Sequence, residues 1–275
     1  MSDSKDYPLG YTLEEARRLA DQGALLQDLT EEALRRAGLQ HGMRVLDLGS
    51  GVGDVALLAA RIVGAEGAVV GIERAASSVE TARRRAGSLG VANIRFEQGD
   101  LLAYEPTATF DALIGRFVLL YLPDPTATLR RLSRHLRPGG IVAFQEYDMP
   151  QFAAAPPSAL FTQVRRWILE AFSAAGAELE MGTKLYATFL RAGLPHPHMI
   201  AAAPVGCGPD SPAYEYVARV LRSLLPLVER AAIASLAQID IDTLAERLRA
   251  DAVAGERVVF LPRLVSAWTR SAQVP

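Results

Sequence analysis

Cysteine is nearly absent from this 275-residue chain, because Cys207 is its only one. A single thiol excludes a disulfide framework within the chain and a metal site built from several thiolates, and no other pattern predicts a bound metal. An excess of positive charge is also missing, since 29 basic and 31 acidic side chains leave a formal net charge of −2. Proteins that bind nucleic acid through its phosphates normally carry a basic excess, so we expect no nucleic-acid partner.

Long hydrophobic runs are missing as well. No stretch reaches the roughly 20 uninterrupted apolar residues that a membrane helix needs. The first ten residues, MSDSKDYPLG, are polar and do not resemble a secretory signal. With half of its residues hydrophobic, the sequence predicts a globular protein of the cytoplasm with no membrane partner.

From residue 44 onward, predicted strands and helices alternate. Short runs rich in Val, Ile and Leu predict five strands, separated by stretches with helical spacing of apolar residues. The strands are predicted at 44–48, 68–72, 94–98, 111–114 and 141–145. This alternation predicts an α/β fold with a doubly wound, mostly parallel sheet covered by helices on both faces.

The two ends of the chain are predicted to be mainly helical. Two helices over about 13–25 and 26–37 form an N-terminal helical lid within 1–40. After Pro156-Pro157, helices over 158–175 and 183–192 precede a sixth strand at 199–205. A seventh strand is expected from Arg257 to Leu261, continuing toward Trp268. The chain would then be one domain over 1–275, with a helical insertion at 207–256 between strands 6 and 7.

A glycine-rich turn follows the first predicted strand. Gly49, Gly51 and Gly53 come directly after VLDL and before a helix, where glycine lets the backbone turn tightly and approach a ligand. A dinucleotide site needs G-x-G-x-x-G, but Asp54 stands at the third glycine position of that pattern. Asp47 before the turn would repel a pyrophosphate and would suit an ammonium group.

Two further acids follow the second and third strands. Glu73 lies where a carboxylate can accept hydrogen bonds from both hydroxyls of a ribose. Asp100, in Gly99-Asp100-Leu101, can accept a hydrogen bond from an adenine amino group. A glycine turn followed by two acids, at three successive strand ends, predicts a nucleoside-containing ligand.

With these motifs, residues 44–146 resemble the class I S-adenosylmethionine (SAM) dependent methyltransferases. The resemblance rests on VLDLGSGVGD, GIE, QGDLL, FDALIGRFVLLYLPDP and LRPGGIVAFQE. It implies seven strands in the order 3-2-1-4-5-7-6 with strand 7 antiparallel, and SAM lying across the carboxyl ends of strands 1 to 4. The cofactor-binding residues that it implies are Asp47, Gly49, Gly51, Gly53, Glu73, Arg74, Asp100, Leu101 and Arg116, joined by Tyr7, Arg18 and Gln22 from the N-terminal region.

The acceptor is expected at the same edge of the sheet, outside the carboxyl ends of the parallel strands. All four histidines (His41, His135, His196 and His198) precede strands, so no histidine base is expected there. Glu146, just past the fifth strand, is the first candidate for a base, with Asp148 and Tyr147 as alternatives. Arg116 is expected on the methyl-transfer side. The expected walls of an apolar acceptor pocket are Phe117, Tyr121, Tyr147, Tyr214 and Tyr216.

The insertion at 207–256 is expected to form a substrate lid, although its apolar face could instead extend the core or meet a second subunit in a homodimer. The first hypothesis for function is methyl transfer from SAM to a small, apolar or aromatic metabolite. The alternatives are a protein of this fold that binds SAM without transferring methyl, a purely binding or regulatory protein, and an NAD-dependent oxidoreductase.

Overall fold

The computed structural model describes residues 13–272, and it describes no side chain for residues 13–21 and 24. Within this range the helices are α1 (Leu13–Arg36), α2 (Asp54–Val63), α3 (Ala76–Ser88), α4 (Pro125–Leu132), α5 (Ala159–Ala174), α6 (Met181–Arg191), α7 (Ala213–Arg230), α8 (Leu236–Ile239) and α9 (Leu244–Ala254). The strands there are β1 (Arg44–Leu48), β2 (Ala68–Glu73), β3 (Ile94–Gln98), β4 (Phe110–Arg116), β5 (Leu136–Asp148), β6 (Ala153–Ala155), β7 (His198–Ala202), β8 (Val205–Gly206), β9 (Val258–Phe260) and β10 (Arg263–Arg270).

The chain divides into two compact units. The sheet unit comprises residues 23–146, 181–201 and 265–272 of the described chain. The helical unit comprises 13–22, 147–180 and 202–264. It is therefore larger than the predicted insertion at 207–256, because it also takes in the segment that follows β5.

A seven-stranded sheet dominates the first unit, in the order β3-β2-β1-β4-β5-β10-β7. The first five strands pair in parallel, with Val45 of β1 opposite both Val69 and Ala112. Strand β10, which comes last in the chain, runs antiparallel to the parallel strands of the sheet. Its direction is visible in two contacts: Ser271 N–H donates to the Gly140 carbonyl at 2.7 Å, and Gln145 Nε2 donates to Ser266 Oγ at 2.7 Å. This is the predicted strand order.

The core of the sheet unit forms because the central strands are apolar on both faces, as parallel sheets covered by helices require. Helix α2 buries seven of its ten residues against them, and α3 adds a narrower apolar stripe that includes Val79 and Ala82. The turn between β1 and α2 is thereby fixed from both sides at the carboxyl edge of the sheet.

The helical unit has its own interior. Helix α7 packs against α5 and α9, and it buries a stripe at helical spacing that includes Val217, Leu221, Leu224 and Val228. A small antiparallel sheet in the order β6-β9-β8 completes the unit.

Four details differ from the sequence prediction. The sixth strand, predicted at 199–205, ends at Ala202, and Val205 belongs to β8 of the small sheet. One continuous helix of 24 residues, α1, replaces the two expected N-terminal helices. The fifth strand runs from Leu136 to Asp148 and is longer at both ends than the predicted strand at 141–145. The seventh strand, predicted from Arg257 to Leu261 and on toward Trp268, is two strands: its first part forms β9 of the small sheet, and the main-sheet strand begins at Arg263, just after Pro262, which has no N–H to donate to a ladder.

Candidate cofactor and acceptor site

The glycine turn after β1 has the backbone that its sequence predicts. Gly49, Gly51 and Gly53 all have positive φ, at 59°, 54° and 93°. A Cβ on Gly49 would lie 2.7 Å from Cγ2 of Val118, so this position is closed by packing. A Cβ on Gly51 would meet nothing within 4 Å among the described residues. The turn therefore leaves its backbone open to a ligand at Gly51.

Glu73 ends β2 beside this turn. One carboxylate oxygen, Oε2, accepts the Gly51 N–H at 3.0 Å, and the other, Oε1, accepts the Ala75 N–H at 2.9 Å. The side chain is half-buried and thus retains exposed surface. Two neighbouring strand ends are joined by this contact, and the acid is held next to the open glycine.

Asp47 lies at the carboxyl end of β1 and is only 1% exposed. Neither of its carboxylate oxygens has a hydrogen-bond partner within the described part of the chain. Burial raises the pKa of Asp47 to about 8; Arg116 and, more weakly, the Ala56 backbone N–H oppose this shift, and the neighbouring acids Glu73 and Asp54 add to it. A buried carboxylate without donors is costly unless a ligand supplies them.

Arg85 of α3 braces the glycine turn, a role that sequence reasoning missed. Its Nη1 donates to the Val52 carbonyl at 2.6 Å, and its Nη2 donates to Asp54 Oδ1 at 2.7 Å. Asp54 also lies close to α1, because a Cβ on Gly23 would stand 2.6 Å from the Asp54 carboxyl carbon. In the sequence, the signal for the contact between α1 and Asp54 was Gly23, because an isolated glycine inside a helical pattern commonly has a packing reason.

The segment after β3 holds the predicted adenine-side residues. Asp100 is exposed, and its Oδ1 accepts the Leu102 N–H at 2.9 Å. Leu101 is buried, and its carbonyl accepts a hydrogen bond from Arg131. Arg74 is exposed, and its carbonyl accepts from Gln98 Nε2 at 3.1 Å. Asp100 therefore remains accessible to a ligand.

The end of β4 carries the residues expected on the methyl-transfer side. Arg116 Nη1 donates to Thr30 Oγ1 at 2.8 Å, and its guanidinium carbon lies 5.7 Å from the centre of the Phe117 ring. Phe117 has φ 57°, a left-handed conformation that is uncommon for a residue with a side chain. Tyr121 is half-buried and ends a short 3₁₀ helix, Leu119–Tyr121.

Glu146, the first candidate for a base, is 0% exposed. Its Oε1 accepts the backbone N–H groups of Val118 at 3.1 Å and Leu119 at 2.7 Å. Its Oε2 is buried and has no hydrogen-bond partner among the residues that the structure describes. Burial raises the pKa of Glu146 to about 8, against the lowering effect of these backbone hydrogen bonds.

The remaining predicted residues belong to the helical unit. Tyr214 is fully buried and donates its hydroxyl to the Gly208 carbonyl at 3.0 Å, whereas the buried Tyr216 hydroxyl accepts from Gln22 Nε2 at 2.9 Å. Tyr147 is buried too, and Asp148 forms an ion pair of 2.6 Å with Arg263. Tyr7 and the side chain of Arg18 lie outside the described residues.

The four histidines lie at or before the starts of strands, as predicted. His41 precedes β1 and is 4.0 Å from Glu66, and His135 precedes β5 and is 3.2 Å from Glu105 Oε2. His196 precedes β7 with its Nδ1 2.9 Å from the Tyr186 hydroxyl, and His198 begins β7, stacked on Trp268.

These residues fit the predicted cofactor. An ammonium group would supply the donors that the buried Asp47 carboxylate lacks, a ribose would find an acceptor in Glu73, and the open backbone at Gly51 leaves room for the ligand. Within residues 13–272, no group of three or more His, Cys, Asp or Glu side chains is placed to hold a metal ion. No helix in that same range combines the length and the apolar character needed to cross a membrane.

Comparison with known proteins supports the same assignment. The chain is 35% identical over 152 residues to the 2-phytyl-1,4-naphtoquinone methyltransferase of Synechococcus elongatus, covering 54% of this chain and 64% of that protein. It is 37% identical over 123 residues to the trans-aconitate 2-methyltransferase of Azoarcus sp., covering 43% and 46%. The matches thus span less than two thirds of either relative's own length.

A solved structure with the same fold is that of the YcgJ protein from Bacillus subtilis, with a TM-score of 0.57 at 16% identity, covering 88% of this chain and 97% of that one. At this identity the likeness concerns the fold alone. A family model described as a methyltransferase domain matches residues 39–189, which is more than half of the 275 residues. The chain therefore belongs to the methyltransferase domain family.

Proposed function

We propose that this protein transfers a methyl group from SAM to a small-molecule acceptor. The observation that carries the proposal is the buried Asp47 carboxylate, neither oxygen of which accepts a hydrogen bond of normal geometry from the described residues, on the strand that leads into the open glycine turn. An NAD-dependent oxidoreductase is disfavoured, because Asp54 stands at the third glycine position of the dinucleotide pattern G-x-G-x-x-G.

The residues of the sheet unit have distinct roles in this proposal. Asp47 binds the cationic amino group of the methionine moiety, Glu73 the ribose hydroxyls and Asp100 the adenine amino group. SAM supplies a methyl group that is already activated on a sulfonium. The protein therefore contributes mainly by holding the acceptor in line with that methyl, an effect worth several kcal/mol.

The acceptor is proposed to be apolar or aromatic. In the loop after β4, Phe117 is only half-buried and can present its ring to an acceptor, whereas the following Val118, Leu119 and Leu120 are buried in the apolar interior. Of the two relatives, one is named for a naphthoquinone carrying a phytyl chain and the other for an aconitate. An apolar loop suits the quinone type of acceptor better than a tricarboxylate, which would need several cationic partners.

The helical unit is proposed to determine which acceptor is used, because the chain enters it directly from the carboxyl end of β5. Replacing residues 212–250 by a short turn should leave SAM affinity unchanged in a folded variant. Selectivity among trial acceptors should broaden or disappear. Unchanged selectivity in such a variant would show that the insertion only extends the core or serves a subunit contact.

Methyl transfer is tested by incubating the full chain with SAM carrying a trideuterated methyl group and a panel of quinones, phenols and carboxylic acids. Mass spectrometry should detect S-adenosylhomocysteine (SAH) together with one acceptor that has gained the labelled methyl. Tight SAM binding without SAH release on any acceptor would favour the SAM-binding protein that transfers no methyl. Binding of NADH in place of SAM would contradict the cofactor assignment.

A further inference from the structure

We propose that Glu146 is a positioning residue that fixes the loop after β4 against the glycine turn, and that it is not the base of the reaction. This inference rests on the proposed function, because it assigns a role within the same site. Three observations within the sheet unit support it.

The first set joins β5 to the loop. Two successive residues of β5 bind three successive N–H groups of the loop after β4. The Gln145 carbonyl accepts from Phe117 at 2.9 Å, and Glu146 Oε1 accepts from Val118 and Leu119. Val118 precedes the 3₁₀ helix Leu119–Tyr121 and provides no side-chain cap for it. The Glu146 carboxyl thus satisfies N–H groups that would otherwise be left without acceptors at the start of this helix.

The second observation is the backbone of Phe117. A residue with a side chain keeps a positive φ only where its surroundings enforce it. Here the enforcement comes from the hydrogen bond of Phe117 itself to Gln145 and from the two hydrogen bonds that hold the following residues to Glu146. If Glu146 released the loop, Phe117 could relax toward negative φ and its ring would change direction.

The third set joins the loop to the cofactor turn. Val118 packs so closely on the glycine turn that a Cβ on Gly49 would lie 2.7 Å from its Cγ2. On its other side, a Cβ on Gly115 would lie 3.0 Å from Val118 Cγ1. Glu146 holds Val118 by accepting the Val118 N–H, and the position of Val118 in turn sets the packing around Gly49.

A base must reach the acceptor, and Glu146 has no exposed surface through which to do so. One of its oxygens is already used by two backbone donors. Burial also favours the protonated form, which cannot accept another proton at neutral pH. The contacts of the surrounding residues therefore depend on the geometry of the Glu146 carboxyl more than on its charge.

Two variants separate geometry from charge. Glu146→Gln keeps the length of the side chain and an acceptor oxygen but cannot act as a base. Glu146→Asp keeps the acid but shortens its reach by one methylene. If Glu146 is a positioning residue, Glu146→Gln retains SAH affinity, methylation rate and the pH profile of kcat. Glu146→Asp weakens SAH binding and lowers the rate, each by about tenfold, through the lost hydrogen bonds.

The matched control is Asp111→Ala. Asp111 Oδ2 accepts the Arg44 N–H at 2.7 Å at the opposite edge of the same sheet, so its loss should lower the melting temperature without changing SAH affinity. Calorimetry of SAH binding tests the positioning role even if no acceptor is methylated, which keeps the two proposals separable. A hundredfold slower Glu146→Gln enzyme with normal SAH affinity would show that Glu146 is the base. Unchanged SAH binding and rate in Glu146→Asp would also overturn the inference.

Discussion

Among single residues, Asp47 combines burial with two carboxylate oxygens that accept no hydrogen bond of normal geometry in the described chain. Such a group destabilises the folded protein when no ligand is bound, because a buried carboxyl is either ionised without partners or held protonated. A bound ammonium group removes this cost by supplying donors and charge. The same residue therefore weakens the unliganded fold and strengthens cofactor binding, a common conflict at functional sites.

The substitution Asp47→Asn should separate these two effects. The unfolded side chain ionises near 3.8, whereas the pKa of folded Asp47 is about 8. The contribution of Asp47 to stability is therefore fully present below pH 4 and is lost as the pH rises toward 8, because only the unfolded state releases the Asp47 proton in that range. Asparagine avoids this loss, so the variant should melt several degrees above the wild type at pH 8 but not at pH 4. Its SAM affinity should fall by a hundredfold or more.

Thermal unfolding of both proteins between pH 4 and 9, with calorimetric titration of SAM at pH 7.5, measures both effects. A melting-temperature difference that stays constant across this pH range would contradict the titration of Asp47. Unchanged SAM affinity in the asparagine variant would contradict its contact with the cofactor.

The sequence was informative about residues whose role depends on strand ends. Asp47, Gly51 and Glu73 lie where the sequence placed them, because each stands at or just after the end of a predicted strand. The role of Glu146 was predicted differently, as a base, because sequence does not show that a side chain turns inward to accept N–H groups 27 and 28 residues earlier in the chain. Long-range contacts between a side chain and a backbone leave no local pattern.

Between elements, α3 does more than cover the sheet. Arg85 in its last turn links α3 to the start of α2 by bonding to Val52 and Asp54 on either side of Gly53. Gly53 itself has φ 93° and fits closely against Phe96 and Ala82. The glycine turn is thereby held from the side of α3 as well as by its own backbone.

Removing this brace should loosen the turn. Arg85→Ala deletes two hydrogen bonds involving a charged group, so we expect SAM affinity to fall by about tenfold or more. Arg84→Ala is the matched control, because Arg84 is exposed on the same helix and bonds only to Thr81 among the contacts described, at 3.2 Å. Calorimetric titration of SAM into both variants provides the comparison. Equal affinities in the two variants would show that the brace does not act on the site.

Elements with a clear period were predicted well, and those formed by distant pairing were not. The parallel strands have near-continuous apolar runs, which is typical of strands buried on both faces. The strands of the small sheet have two or three residues each and pair across about 50 to 100 residues, as with Val205 and Phe260 or Ala153 and Phe260. So short a run has no detectable period, and the sequence therefore merged β9 with β10.

At the scale of the sheet unit, the direction of the strands sorts its side chains into two sets. The glycine turn, Glu73, Asp100 and Arg116 follow strands, whereas the four histidines precede or begin them. Ligands of open α/β sheets bind at the carboxyl edge. From this topology we expect no histidine to take part in the chemistry, and several histidines already have partners at their own edge.

Single replacement of each histidine by glutamine should therefore change the methylation rate by less than about threefold, since general-base catalysis would contribute a hundredfold or more. Steady-state rates with a saturating acceptor test this expectation, and Glu73→Ala serves as the variant that must lose activity at limiting SAM. A folded histidine variant that is a hundredfold slower would overturn the topological argument.

In the proposed site the open backbone at Gly51 lies against SAM, and calorimetry of Gly51→Val beside Gly90→Val is the sharpest test of this contact. Both glycines have positive φ, 54° and 65°, and a Cβ on either would meet no described atom within 4 Å, so the strain that valine introduces should be similar. Gly90 lies just beyond the end of α3, away from the strand ends. We predict that both variants lose comparable stability, that Gly90→Val binds SAM like the wild type, and that Gly51→Val binds it a hundredfold or more weakly. Equal SAM affinity in the two folded variants would contradict the cofactor site.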